Sequence, residues 1–95
     1  MSILGHGGVD DAKVLAEIKR LARLDRVVLT SHARRRTLER GADPRDVRRA
    51  LLTATAAVYQ DDRNNWRLDG GVDTDGDDLM LICDLEADVI VVTLF

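Results

Sequence analysis

Leu79-Met-Leu-Ile-Cys-Asp-Leu85 and Val89-Ile-Val-Val-Thr-Leu-Phe95, separated only by Glu86-Ala-Asp88, decide the fold. Both runs are β-prone and almost wholly apolar, and the polar step between them is short enough for a hairpin. Strands this apolar belong in the middle of a sheet. Upstream, Ala56-Ala-Val-Tyr-Gln60 and Asn65-Trp-Arg-Leu68 also read as strands. Their connections are Asp61-Asp-Arg-Asn64, then Asp69-Gly-Gly71 followed by Asp73-Thr-Asp-Gly-Asp-Asp78, rich in residues that turn easily. Short polar connections favour an antiparallel meander of four strands.

Before the meander the period is helical. Val14, Leu15, Ile18, Leu21 and Ala22 recur at helix spacing, with Lys13, Glu17, Lys19, Arg20 and Arg23 on the wet side. Asp10-Asp11 suit the positive end of that helix, which runs through about Leu24. Val27-Val-Leu-Thr30 is a short β-prone run, read as an extended segment or short strand. Thr30 or Ser31 can cap a second helix over 31–40, and Gly41 suits its C′ position. Asp43-Pro44 opens a third helix, with Asp as cap, Pro in the first turn and Val47, Ala50, Leu51 and Leu52 as its apolar side. The expectation is one α+β domain over 10–95, with N-terminal helices packed on one side of a four-stranded antiparallel sheet. Residues 1–9, with His6 among glycines, are expected to be flexible.

The chain has no run of about 18 apolar residues, hence no membrane span. Its first residues lack a basic stretch followed by a long apolar one, so no secretory signal is expected and a cytoplasmic location is. The lone Cys83 lies within an apolar strand and reads as a buried, inert thiol. The net charge of −3 conceals an asymmetry. Residues 1–50 carry twelve Lys and Arg against seven Asp and Glu, a balance of +5. Residues 51–95 carry two against ten, a balance of −8. The first half therefore offers a local basic face on an acidic protein.

Most of the chemistry is concentrated in Ser31-His-Ala-Arg-Arg-Arg-Thr-Leu-Glu-Arg-Gly41. His32, Arg36 and Arg40 are four residues apart, which stacks them along one helical face. An imidazole exchanges protons near neutral pH, and guanidiniums grip phosphate with forked hydrogen bonds. Metal-independent RNA cleavage needs these functions: a base for the 2′-hydroxyl, an acid for the leaving oxygen, and cations for the phosphorane. Arg35 can add a phosphate contact, and the Tyr59 phenol can stack a base. Glu39 lies about 10 Å along the axis from His32, awkwardly far for one phosphate. The bland reading has Arg36 and Arg40 pairing with the acidic loops and His32 merely capping its helix.

The string Leu29-Thr-Ser-His32-Ala33, then Arg36, then Glu39-Arg40-Gly41 resembles the start of a group of small bacterial domains of unknown function related to RelE-like toxins. The similarity runs over roughly residues 27–95, through Pro44 to Leu52, the Ala57-Val-Tyr-Gln60 strand and the closing Val89-Ile-Val-Val-Thr93 strand. The resemblance implies a RelE/barnase-like fold. It also implies a toxin of a toxin–antitoxin pair, with cofactor-free and metal-independent ribonuclease activity and an antitoxin protein as partner. His32, Arg36 and Arg40 match the recurrent motif, and Thr93 matches the polar residue often seen on the last strand.

Two other classes stay open. Helices 31–40 and 44–53 have the outline of a helix-turn-helix, with Arg45, Arg48 and Arg49 facing nucleic acid. Alternatively the domain is a non-catalytic module whose basic helix and acidic face dock a protein. No Cys/His set has zinc spacing. The Asp73–Asp78 run fails the calcium-loop pattern, because position 6 would be Asp78 and position 12 Asp84. It reads instead as a solvated hairpin tip, and no metal is expected.

Overall fold

The computed structural model describes residues 8–95. His6 and the flexible stretch expected over 1–9 therefore lie outside the described residues up to residue 7. The elements run α1 (Gly8–Arg23), β1 (Val27–Leu29), α2 (Ser31–Glu39), α3 (Pro44–Thr53), β2 (Ala56–Gln60), β3 (Asn65–Asp69), β4 (Leu81–Leu85) and β5 (Val89–Leu94). Among the described residues no helix is long and apolar enough to cross a membrane.

The architecture is α+β, but the sheet differs from the expectation. It has five strands in the order β1-β5-β4-β3-β2, and it is mixed. Strands β2 to β5 form the antiparallel meander. The extra strand, β1, runs parallel to β5, pairing Val27, Val28 and Leu29 with Val89, Ile90 and Val91. A short strand is among the readings of this run, but three residues carry no sign of a partner 62 positions away. The pairing is pinned where it starts. Val89 N–H donates to the Arg26 carbonyl at 3.0 Å, and Arg26 Nε pairs with Asp88 at 2.9 Å.

One face of the sheet is covered. Leu68, Leu81, Cys83, Val89, Val91 and Leu94 pack against Ile18 and Leu21 of α1, Ala33 of α2, and Val47, Ala50 and Leu51 of α3. All of these are nearly inaccessible to water, and their burial drives the fold. Burial also pushes the Cys83 thiol up to about 12, with Asp84 adding to the rise, so the thiol is inert at neutral pH. Gly71 permits the close pass of the β3–β4 connection under α3. A Cβ there would stand 2.5 Å from the Ala50 carbonyl oxygen.

Both short helices are capped as their sequences require. Thr30 caps α2, its hydroxyl accepting from Ala33 N–H at 3.1 Å. Gly41, at φ +73°, ends α2 in the left-handed conformation. Asp43 caps α3 in a reciprocal box with Asp46. The Asp46 carboxylate also accepts from Thr74 Oγ1 at 2.6 Å and Thr74 N–H at 3.0 Å, tying the acidic loop to α3.

A break in register shapes the end of β5. Cys83 pairs with Val91 but Ile82 pairs with Thr93, so Val92 is an inserted residue. Strict alternation from Val89 and Val91 would send Thr93 inward and Leu94 outward. The bulge resets the phase. Leu94 is buried at 1% exposure, while Thr93 turns to the uncovered face.

Two predictions follow from this framework. Thr30→Val keeps the shape but removes the hydroxyl that caps α2 and donates to the Val92 carbonyl at 3.0 Å. Urea unfolding should show a loss of about 1–2 kcal/mol, and an unchanged midpoint would refute the cap's role. The second concerns acid. Hydrogen bonds from the Thr74 hydroxyl, then the Thr74 and Asp43 backbone, hold the Asp46 carboxyl below its ordinary range. Its contribution is therefore complete above the unfolded carboxylate range near pH ~4 and fades as pH falls through the lowered folded value. Asp46→Asn should flatten the acid limb of a melting-temperature-versus-pH curve while leaving its shape near pH 8 intact.

Candidate functional site

Strand β1 covers only the first half of β5. Beyond Val91 the edge of β5 is met by α2 instead, and this seam carries the site. Thr30 N–H donates to the Val91 carbonyl at 3.0 Å, and the Thr30 hydroxyl donates to Val92 O. Six residues on, Arg36 Nε donates to the Leu94 carbonyl at 3.2 Å. Between them, His32 Nε2 lies 3.1 Å from Thr93 Oγ1. Arg40, at the end of the helix, donates to the carbonyl of Asp78.

The row expected on one helical face is therefore formed, since its three members meet successive stations of the neighbouring chain. Their freedom differs. The His32 side chain is exposed, and Thr93 is its one hydrogen-bond partner among the described residues. Arg36 uses Nε on the backbone, which leaves its outer fork, with Glu39 3.7 Å from NH1. Its guanidinium carbon sits 5.6 Å over the Phe95 ring. Arg36 and Arg40 border a shallow hollow of about 220 Å³ with Glu39 and Leu94. The acidic loops do not seal this row. Arg40 meets a backbone carbonyl rather than a carboxylate, and Glu39 comes from the helix itself.

A second hollow adjoins the seam. On the uncovered face of the sheet, Thr93 and Phe95 border a groove of about 360 Å³ whose polar walls include Gln60, Arg63, Asn65 and Arg67. Arg63 and Arg67 are the two cations of the acidic half of the sequence, and both face this groove. Arg67 is neutralised by a forked pair with Asp69, at 2.9 and 3.0 Å, which also raises its pKa. Arg63 is more open, 69% exposed and 3.8 Å from Asp62.

The remaining sequence candidates lie elsewhere. Arg35 is exposed, on the same helix, without a hydrogen bond or ion pair among the described residues. Arg45 pairs with its own cap, Asp43, at 3.3 Å. Arg48 braces the end of α1, donating to the Ala22 carbonyl and to Asp25 at 3.2 and 3.0 Å. Arg49 is exposed on α3. These three lie on a helix that packs on α1 and β4, whereas α2 packs on β5 and β1. A helix-turn-helix needs its two helices braced against each other, and here they dock on different partners. Tyr59 sits on β2, three strands or roughly 14 Å across the sheet from β5. Its hydroxyl donates to Asn64 and its ring stands edge-on to Trp66 at 5.0 Å. It does not join the His32 row.

Thr30 was expected only as a helix cap, and neither Phe95 nor the groove was expected at the site. The isolation of Arg63 and Arg67 in an acidic half was the available signal. Phe95 offered none, because a terminal apolar residue of an apolar strand looks like core.

The carboxylates of Asp73, Asp75 and Asp77 converge to within 4.8 Å of one another, a closeness the calcium-loop test did not anticipate. Local bonding explains it. Asp73 Oδ1 accepts from Asp75 N–H and Asp77 N–H at 2.9 Å each, folding the tip around Gly76 at φ +86°. Asp75 and Asp77 are exposed, as are Asp61 and Asp62 in the preceding turn. Set against known protein families, curated proteins and solved structures, the chain matches none.

Calcium at millimolar concentration should leave the melting temperature where it is. A rise of several degrees that Asp75→Asn abolishes would make the acidic tip a metal site after all.

Proposed function

We propose that the α2–β5 seam is a metal-independent RNA-cleaving site, and that the protein is a RelE-superfamily toxin-like ribonuclease held in check by an antitoxin. The observation that carries this is the exposed His32, with Nε2 at 3.1 Å from Thr93 Oγ1 and one helical turn from the Arg36 fork. Helices on one side of the β2–β5 meander support assigning the fold to the RelE/barnase-like group. In the tautomer that donates Nε2–H to Thr93, Nδ1 is the basic nitrogen, and Thr93 orients the ring. Nδ1 takes the proton of a ribose 2′-hydroxyl. The O2′–P bond forms and the P–O5′ bond breaks, leaving a 2′,3′-cyclic phosphate. The 5′-oxygen recovers a proton from the imidazolium or from water. Arg36, with the uncommitted N–H groups of Arg40, meets the charge that grows on the phosphorane. Arg35 can hold the flanking phosphate. One imidazole serves as both acid and base, so turnover should be slow.

A protein-docking role has its own support. Leu38 is 77% exposed beside a trough bordered by Leu29, Ala42 and Pro44, on the side of α2 away from the seam. This trough is where an antitoxin can hold the domain without entering the site.

The test is RNA cleavage in EDTA, with growth arrest on induction as a second readout. Wild type should cut RNA to cyclic phosphate ends. His32→Ala should lower the rate by about 10²–10⁴-fold while leaving RNA binding near normal, and Arg36→Ala should weaken both. If wild type neither binds nor cuts RNA at low salt, the reading is wrong.

A further inference from the structure

We infer that the groove on the uncovered face of the sheet is a subsite for one unpaired nucleotide, with Phe95 as the stacking platform and the Gln60–Asn65 amide pair reading the base edge. The inference rests on the reading of the seam as an RNA site and adds which form of RNA it takes.

The platform is rigid. Phe95 N–H donates to the Met80 carbonyl at 2.9 Å and its carbonyl accepts from Met80 N–H at 3.3 Å, so the residue extends β5 rather than trailing from it. Arg36 stands over the ring, yet Phe95 is still 50% exposed and borders the groove. Aromatic rings fixed on a sheet surface accept the flat face of any base, and a base inside a duplex cannot reach them.

The groove also has the hydrogen bonds a base requires. Gln60 Nε2 donates to Asn65 Oδ1 at 2.7 Å, a bond that uses neither Gln60 Oε1 nor Asn65 Nδ2. An acceptor and a donor on planar amides are the groups that pair with the edge of a nucleobase. Asn65 is only 9% exposed, so its amide is held in place rather than free to rotate. At about 360 Å³ the groove falls at the small end of the ~300–1,000 Å³ usual for ligand sites, which suits one nucleotide and not a helix.

Charge supplies the direction of the strand. Arg67 is neutralised by Asp69, so it forms wall rather than anchor. Arg63 is loosely held and exposed at one end, and Arg36 stands at the other beside Phe95. A single strand laid between them puts one base on Phe95 and the next phosphate beside Arg36 and His32. The subsite and the cleavage site then share a nucleotide step.

The experiment is fluorescence anisotropy with 5′-labelled ten-residue single-stranded RNA, a set of the same oligonucleotide each carrying one abasic position at a successive site, and its duplex. Phe95→Leu should weaken single-strand binding roughly five- to hundred-fold, and Phe95→Tyr should restore it. Wild type should discriminate against a set of abasic probes tiled along the strand, and against the duplex. Arg63→Gln should make the salt dependence shallower by about 0.7 in the log–log slope. If wild type binds and cuts RNA but Phe95→Leu binds equally well, or the duplex binds as tightly as the single strand, the subsite is wrong and the seam stands. If wild type binds no RNA, both fall.

Discussion

A strand in the middle of a sheet must satisfy both of its edges, and β5 has only a three-residue partner on one side. The rest of the structure depends on how that deficit is met. Strand β1 supplies backbone groups as far as Val91. From Val92 onward, side chains of α2 and its cap take over, through the Thr30 hydroxyl and the Arg36 guanidinium. Unpaired backbone carbonyls are costly away from water, and an open strand edge invites unwanted pairing. A helix laid along the edge solves both problems. It also forces polar and cationic side chains into a line beside the strand, and the candidate site is that line.

The bulge at Val92 completes the arrangement. Without it, the alternation of β5 would turn Thr93 into the core and leave His32 facing an apolar residue. With it, one strand serves two masters: Leu94 still packs inside, and Thr93 meets the imidazole. Bulges that re-aim a side chain are common next to functional sites.

The parts legible in the sequence were those set by local rules. The β4–β5 hairpin followed from two apolar runs and a three-residue break. The caps of α2 and α3 followed from Thr30, Gly41 and the Asp43-Pro44 pair. The His32–Arg36–Arg40 row followed from helical spacing. Long-range facts were not legible. Nothing near Val27 announces a parallel partner at Val89. Nothing in Val91-Val-Thr-Leu94 marks where the alternation skips. Helical spacing also says which face Arg45 and Arg48 occupy, but not that Asp43 and Asp25 wait there. Tyr59 was placed near the site by its chemistry alone, and strand order set it three strands away.

The β1–β5 pairing has a kinetic meaning. It joins residues 62 apart, so nearly two-thirds of the chain must be looped before the pair can form. Contacts between distant positions slow folding, because the entropy of closing the loop is lost before the contact rewards it. His32 and Thr93 are separated by 61 positions and lie on either side of that closure. No partly folded form that has made only its helices, or only its meander, can hold them together. Assembly of the seam should thus be a late event on the folding path, and the His32–Thr93 pair should exist only once the topology is complete.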